Sequence, residues 1–128
     1  MRFGKARLYR EDVSMFHKVQ FLLFGLADPG HYLRSYYLKK NLKSLNPQKI
    51  LDAGCGSGDY SFYMAEYWPN ASIDSVDMNQ KGIERNMAVQ QKWGLKNIAF
   101  STTDLKEFRE DNKYDLIVCI DVIEHIAE

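Results

Sequence analysis

The stretch from Lys49 to Glu66, KILDAGCGSGDYSFYMAE, constrains the fold more than any other part of the chain. Ile50 and Leu51 are apolar and suit a strand, and a turn containing Gly54, Gly56 and Gly58 follows at once. From Tyr60 to Glu66 there is neither Gly nor Pro, so the order reads strand, tight turn, helix. Glycine is needed where φ is positive or where a ligand lies against bare backbone, because a Cβ would clash there. The helix opening at Asp59 points its free N–H groups back at the turn, which suits an anionic or polar group. The same residues also allow a tight βα turn with no ligand.

Spacing narrows the choice. A dinucleotide fingerprint places its third glycine three residues after the second, whereas Gly58 follows Gly56 by two. The run Asp52-Ala53-Gly54-Cys55-Gly56-Ser57-Gly58 resembles the first motif of class I S-adenosylmethionine-dependent methyltransferases. That resemblance implies an acidic residue at the end of the next strand to hold ribose hydroxyls. SIDSVD, Ser72 to Asp77, ends in Asp77, nineteen residues after Gly58.

The resemblance extends over residues 49–126. It implies S-adenosyl-L-methionine as cofactor and an unidentified methyl acceptor. Asp77 would accept the ribose hydroxyls, with Met78 beside the adenine. Asp104 and Leu105 would meet the adenine, the carboxylate facing its exocyclic amine. Gly54, Gly56 and Gly58 form the turn, the first two allowing backbone approach to the methionine part. Asp52 would position that loop or the ammonium group, and Ile120 and Asp121 would lie under the reacting methyl. Asp121-Val-Ile-Glu124-His125 is similar to an E-x-x-E-H segment that holds magnesium in some methyltransferases. The plainer reading, which assigns no metal, is a helix start with His125 packed against the sheet. His125 is the catalytic base candidate, and Tyr60 is expected to pack rather than touch ligand.

The rest of the chain reads as a soluble α/β domain behind a helical extension. Apolar residues Val13, Phe16, Val19, Leu22, Leu23 and Leu26 recur at helical steps from Glu11 to Leu26, with Asp12 as a possible cap. Asp28-Pro29-Gly30 breaks this helix, and a second runs from His31 to Leu45 with Leu38, Leu42 and Leu45 on one side and Tyr32, Tyr36 and Tyr37 grouped. The two helices would cap the site; the alternative is that FHKVQFLLF and its basic flank lie on a membrane surface. Strands are expected at 72–77, 97–101 and 114–120, and a helix from Gln80 to Trp93 with Ile83, Met87 and Gln90 on one side, stopped by Gly94. Residues 106–113 read as a solvated helix or loop. The fold class expected is a Rossmann-like, doubly wound parallel sheet, truncated at about four strands in order 3-2-1-4. Residues 1–48 form the extension and 49–128 the cofactor-binding domain.

Charge is split. Residues 1–49 carry ten Lys or Arg against three Asp or Glu, and residues 50–128 carry seven against fourteen. The basic end would steer phosphorylated or polyanionic substrates, or simply attract the acidic half; there is no strong nucleic-acid signal. Two cysteines make no disulfide framework and favour a reducing, cytoplasmic setting. The family's sheet normally continues past the fourth strand, so these residues are expected to be part of a longer product, half of a split enzyme or a remnant. Alone they are expected not to turn over substrate, and to self-associate or pair with a C-terminal partner chain through the fourth strand. The alternative functions are a non-catalytic cofactor-binding subunit and, third, a nicotinamide-dependent oxidoreductase.

Overall fold

A computed structural model describes residues 8, 13–24, 29–111 and 113–126. Two helices, α1 (Met15–Phe24) and α2 (Pro29–Leu42), precede the sheet. Then come β1 (Lys49–Ala53), α3 (Asp59–Tyr67), β2 (Ser72–Asp77), α4 (Gln80–Trp93), β3 (Ile98–Thr102), β4 (Leu116–Val118) and a short 3-10 turn, Ile123–His125. The four strands lie parallel in the order β3-β2-β1-β4. That is the expected topology: β1 and β2 lie at the centre, and the chain reverses direction across the sheet between β3 and β4.

Alternation across the pleat separates two faces. Ile50, Ile73, Ile98, Phe100 and Val118 pack with Phe62, Met64, Ile83 and Val89 of α3 and α4 into the main core. Leu51, Ala53 and Val76 point to the other face, where Leu105, Phe108 and Tyr114 from the β3–β4 connection cover them. Residues 106–111, part of the stretch expected as helix or loop, are therefore non-helical and fold back over the sheet at Phe108. Tyr114 helps to pin them, its hydroxyl donating to Asp74 at 2.9 Å. The start of β4 is tied to that of β1 by Asp115, whose Oδ2 accepts the N–H groups of Gln48 (2.8 Å) and Lys49 (2.9 Å). β4 is shorter than the run 114–120 and stands at the sheet edge, with Ile117 exposed.

The helices depart from expectation in instructive ways. α2 begins at Pro29 rather than at the expected His31, because a first-turn residue needs no N–H partner. α2 ends at Leu42 rather than Leu45, and Leu45 N–H closes back on the Leu42 carbonyl. In α1 Phe16, Val19, Leu22 and Leu23 of the stripe expected to pack are exposed, and among its described side chains Phe21 is the buried one. The Asp12 cap, Leu26, Asp28 and the Tyr32 side chain lie outside the described residues. α4 buries Ile83, Asn86 and Val89, while Met87 is exposed and Gln90 turns its amide to the Ile98 carbonyl. Asn79 caps its start and Gly94, at φ 65°, its end. Asn97, at the mouth of β3, donates to the carbonyls of Ala65, Trp68 and Ala71 and so satisfies the close of α3.

Candidate active site

The glycine turn is held from four sides. Gly54 and Cys55 N–H both donate to the Val76 carbonyl, at 2.8 and 2.9 Å, which fastens the turn to the end of β2. Gly56 N–H donates to Asp77 Oδ2 at 2.8 Å, and the other oxygen of that carboxylate accepts Asn79 N–H, also at 2.8 Å. From α4 the buried Asn86 donates its Nδ2 to the Gly56 carbonyl at 2.9 Å. Beneath the turn, Asp52 is buried and accepts the hydroxyl of Ser61, itself fully buried in α3. Burial drives the Asp52 carboxyl up to about 6, the nearby Asp77 charge adds to this, and the Ser61 bond opposes it.

The three glycines serve three different purposes. All have positive φ, at 78°, 49° and 74°. A Cβ on Gly54 would lie 2.3 Å from a methyl of Val122, so this residue lets the segment after β4 pack against the turn. A Cβ on Gly58 would meet the Phe62 ring at 2.9 Å and Asn86 at 3.0 Å, inside the domain. A Cβ on Gly56 would meet nothing within 4 Å. Only Gly56 leaves its backbone bare toward open space.

That space is a cavity of about 460 Å³ at the carboxyl ends of the strands, where open α/β sheets bind ligands. Gly54, Gly56, Asp77, Met78, Asp104, Leu105, Ile120, Asp121 and His125 line it together. Asp52 and Gly58 do not; they support the turn from behind. His125 is exposed at the cavity rather than packed against the sheet. Tyr60, expected only to pack, reaches both the core and the cavity, and burial pushes its hydroxyl up to about 12 against the lowering charge of Arg34. Met78 stands three-quarters exposed at the rim, and Asp104 accepts Lys106 N–H at 2.9 Å.

Sequence reasoning missed two residues here. Arg34, from α2, crosses to the cavity and pairs its Nε with Asp121 Oδ2 at 2.9 Å. Nothing local marks it, since the pairing partners are separated by most of the chain. Asn86 is missed because a polar residue on an amphipathic helix reads as solvated until the turn is folded over it. Asp121 itself has φ 55°, a left-handed conformation that is uncommon outside glycine, though more frequent for Asp. That geometry turns the chain out of β4 toward Val122 and brings both over the glycine turn. Among the described residues no group of three His, Cys, Asp or Glu side chains is arranged to hold a metal ion.

Comparison with known proteins adds identity to this geometry. The chain is 31% identical over 108 residues to the ubiquinone biosynthesis O-methyltransferase of Rickettsia prowazekii, covering 81% of this chain and 42% of the relative. Over 79 residues it is 29% identical to a probable (S)-tetrahydroprotoberberine N-methyltransferase 2 of Papaver bracteatum, 62% of this chain and 22% of that protein. PKMT2 from Rickettsia typhi, solved in complex with AdoHcy, superposes with a TM-score of 0.60 at 28% identity, over 72% of this chain and 20% of that one. Coclaurine N-methyltransferase bound to N-methylheliamine and SAH shares the fold, with a TM-score of 0.61 at 20% identity over 70% of this chain and 26% of that chain. The chain spans less than half the length of each of these proteins. A family described as methyltransferase domain matches residues 46–128, which hold the four strands, the glycine turn and every residue named above as lining the cavity except Arg34, and the chain belongs to that family.

Proposed function

We propose that this chain forms the S-adenosylmethionine-binding part of a methyltransferase acting on an acceptor whose identity is open. The observation that carries this reading is the charge of the cavity. Asp77, Asp104 and Asp121 line it against a single arginine, Arg34, which is already paired with Asp121. Such a lining favours a cation and disfavours the pyrophosphate of a dinucleotide. The bare backbone of Gly56 and the fixed carboxylate of Asp77 supply the rest of the fit.

In this reading Asp77 receives the ribose hydroxyls while its backbone partners keep it oriented. Met78 and Leu105 flank the adenine, with Asp104 toward its amine. Gly54 and Gly56 carry the methionine part, supported from behind by Asp52 and Gly58. Ile120 and Asp121 border the reacting methyl. When bound, S-adenosylmethionine would supply a transferable methyl on a positively charged sulfur, a leaving group that needs no protonation. The chain's task is to hold the acceptor in line at near-attack distance, which can provide most of the acceleration. His125 takes a proton where the acceptor must lose one. The exposed edge strand β4 is the surface through which further strands, from the same or another chain, would complete the sheet. The free cysteines, Cys55 buried and Cys119 exposed, support a reducing, cytoplasmic setting.

Calorimetric titration with S-adenosylmethionine, S-adenosylhomocysteine and NAD tests the assignment. Binding of the first two in preference to NAD is expected. NAD bound with S-adenosylmethionine ignored would overturn it.

A further inference from the structure

We infer that the outward faces of α1 and α2 seat this protein on an anionic lipid surface. The inference does not depend on the methyl-transfer reading. In α1 the large apolar residues do not pack inward: Met15 is 75% exposed, Phe16 74%, Leu22 59% and Leu23 71%. At 3.6 residues per turn these residues, with Val19, fall within a sector of about 120°. Phe21, the buried residue, points the opposite way. The helix is thus anchored by one side and apolar on the other.

α2 adds exposed aromatic and aliphatic side chains without a separate apolar face of its own. Its Ser35 and Leu42 are buried, whereas Leu33, Tyr36 and Tyr37 are about half exposed. Exposed tyrosines beside aliphatic residues suit the headgroup boundary, where one end of the ring is apolar and the other wet.

The charge selects a lipid over other occupants. Neither helix contains an Asp or Glu. Lys18 lies in α1, Lys40 in α2 on the side of Leu33 and Tyr37, and Lys43 just beyond, while the acidic excess of the chain lies after residue 49. An apolar surface flanked by lysines complements an anionic bilayer, and each basic group near such a surface adds to binding. At ten residues α1 is about 15 Å long, enough to lie in an interface. No helix among the described residues is long and apolar enough to cross a membrane.

Flotation of the full chain with vesicles tests this. Vesicles of phosphatidylcholine mixed with phosphatidylglycerol should bind at least about tenfold more protein than pure phosphatidylcholine, and salt should weaken the difference. The double variant Phe16→Asp, Leu23→Asp should lose at least about tenfold of that binding with an unchanged circular dichroism spectrum, because both side chains are exposed. If that variant does not fold, Lys40→Gln, Lys43→Gln takes its place and should reduce binding to the mixed vesicles alone. Equal binding to both vesicles, or none, overturns the proposal. So does a dimer, seen by light scattering, that the Phe16 and Leu23 changes dissolve, since a second copy would then cover the face.

Discussion

Asp77 holds the glycine turn by a 2.8 Å hydrogen bond from the N–H of Gly56, a residue 21 positions earlier in the chain. The same carboxylate orders the start of α4 through Asn79. One side chain therefore shapes the turn, the next helix entry and one wall of the cavity.

Replacing it should affect ligand binding first. Hydrogen bonds to a charged group contribute roughly 1.5–3 kcal/mol each, and about 1.4 kcal/mol is a factor of ten. Asp77→Ala should weaken S-adenosylhomocysteine at least about tenfold by calorimetry. Unchanged affinity in a folded variant would move the ribose elsewhere.

The glycines separate stability from binding. Gly54→Ala combines a left-handed backbone with a Cβ driven into Val122, and should destabilise the fold by about 2–5 kcal/mol. Gly56→Ala meets no neighbour, so only its backbone strain of about 1–2 kcal/mol should appear. It should nevertheless impair cofactor binding, because the added methyl faces the cavity. Urea midpoints and ligand titration on both variants check the contrast; equal stability losses would contradict it.

Asp52 should make stability depend on pH. Its carboxyl rises from the ordinary 3.8 to about 6 in the folded protein, chiefly through burial. Between those values the folded state keeps a proton that the unfolded state has released. Stability is therefore full below about pH 4, falls as pH rises through about 6, and then levels. A shift of about two units corresponds to about 3 kcal/mol. Asp52→Asn, which can still accept from Ser61, should remove this part of the slope. Denaturation midpoints measured from acid to neutral pH compare the two proteins, and identical slopes would show that Asp52 does not carry the effect.

Ile117 is 60% exposed on the edge strand β4, where an unpaired backbone invites another strand. Light scattering should show mass rising with concentration, and Ile117→Lys should suppress it. A wild-type chain that stays monomeric throughout would rule out pairing through this edge.

Much of this protein was legible in its sequence because the signals are local. A strand, a glycine turn and a helix occupy consecutive residues from Lys49 onward, and the step from Gly58 to Asp77 is one βαβ unit. The handedness of parallel connections limits the possible strand orders, and the resemblance of the glycine turn to the methyltransferase motif selects β3-β2-β1-β4 among them. Carboxylates at strand ends meet at one edge because the strands are parallel, so nine of the expected site residues share the cavity.

Tertiary structure alone decided what each residue does there. The glycine pattern cannot tell that Gly54 makes room for Val122, Gly58 for Phe62, and only Gly56 for open space, because those neighbours come from elsewhere in the chain. Arg34 meets Asp121, and Asn86 meets Gly56, only after the helices have docked. The N-terminal helices make the point most clearly. Periodicity identifies an apolar stripe, but a stripe does not state what it faces. In α1 it is Phe21 that turns inward, while Phe16, Leu22 and Leu23 remain at the surface, because which side of a helix is buried depends on what docks against it and not on its periodicity.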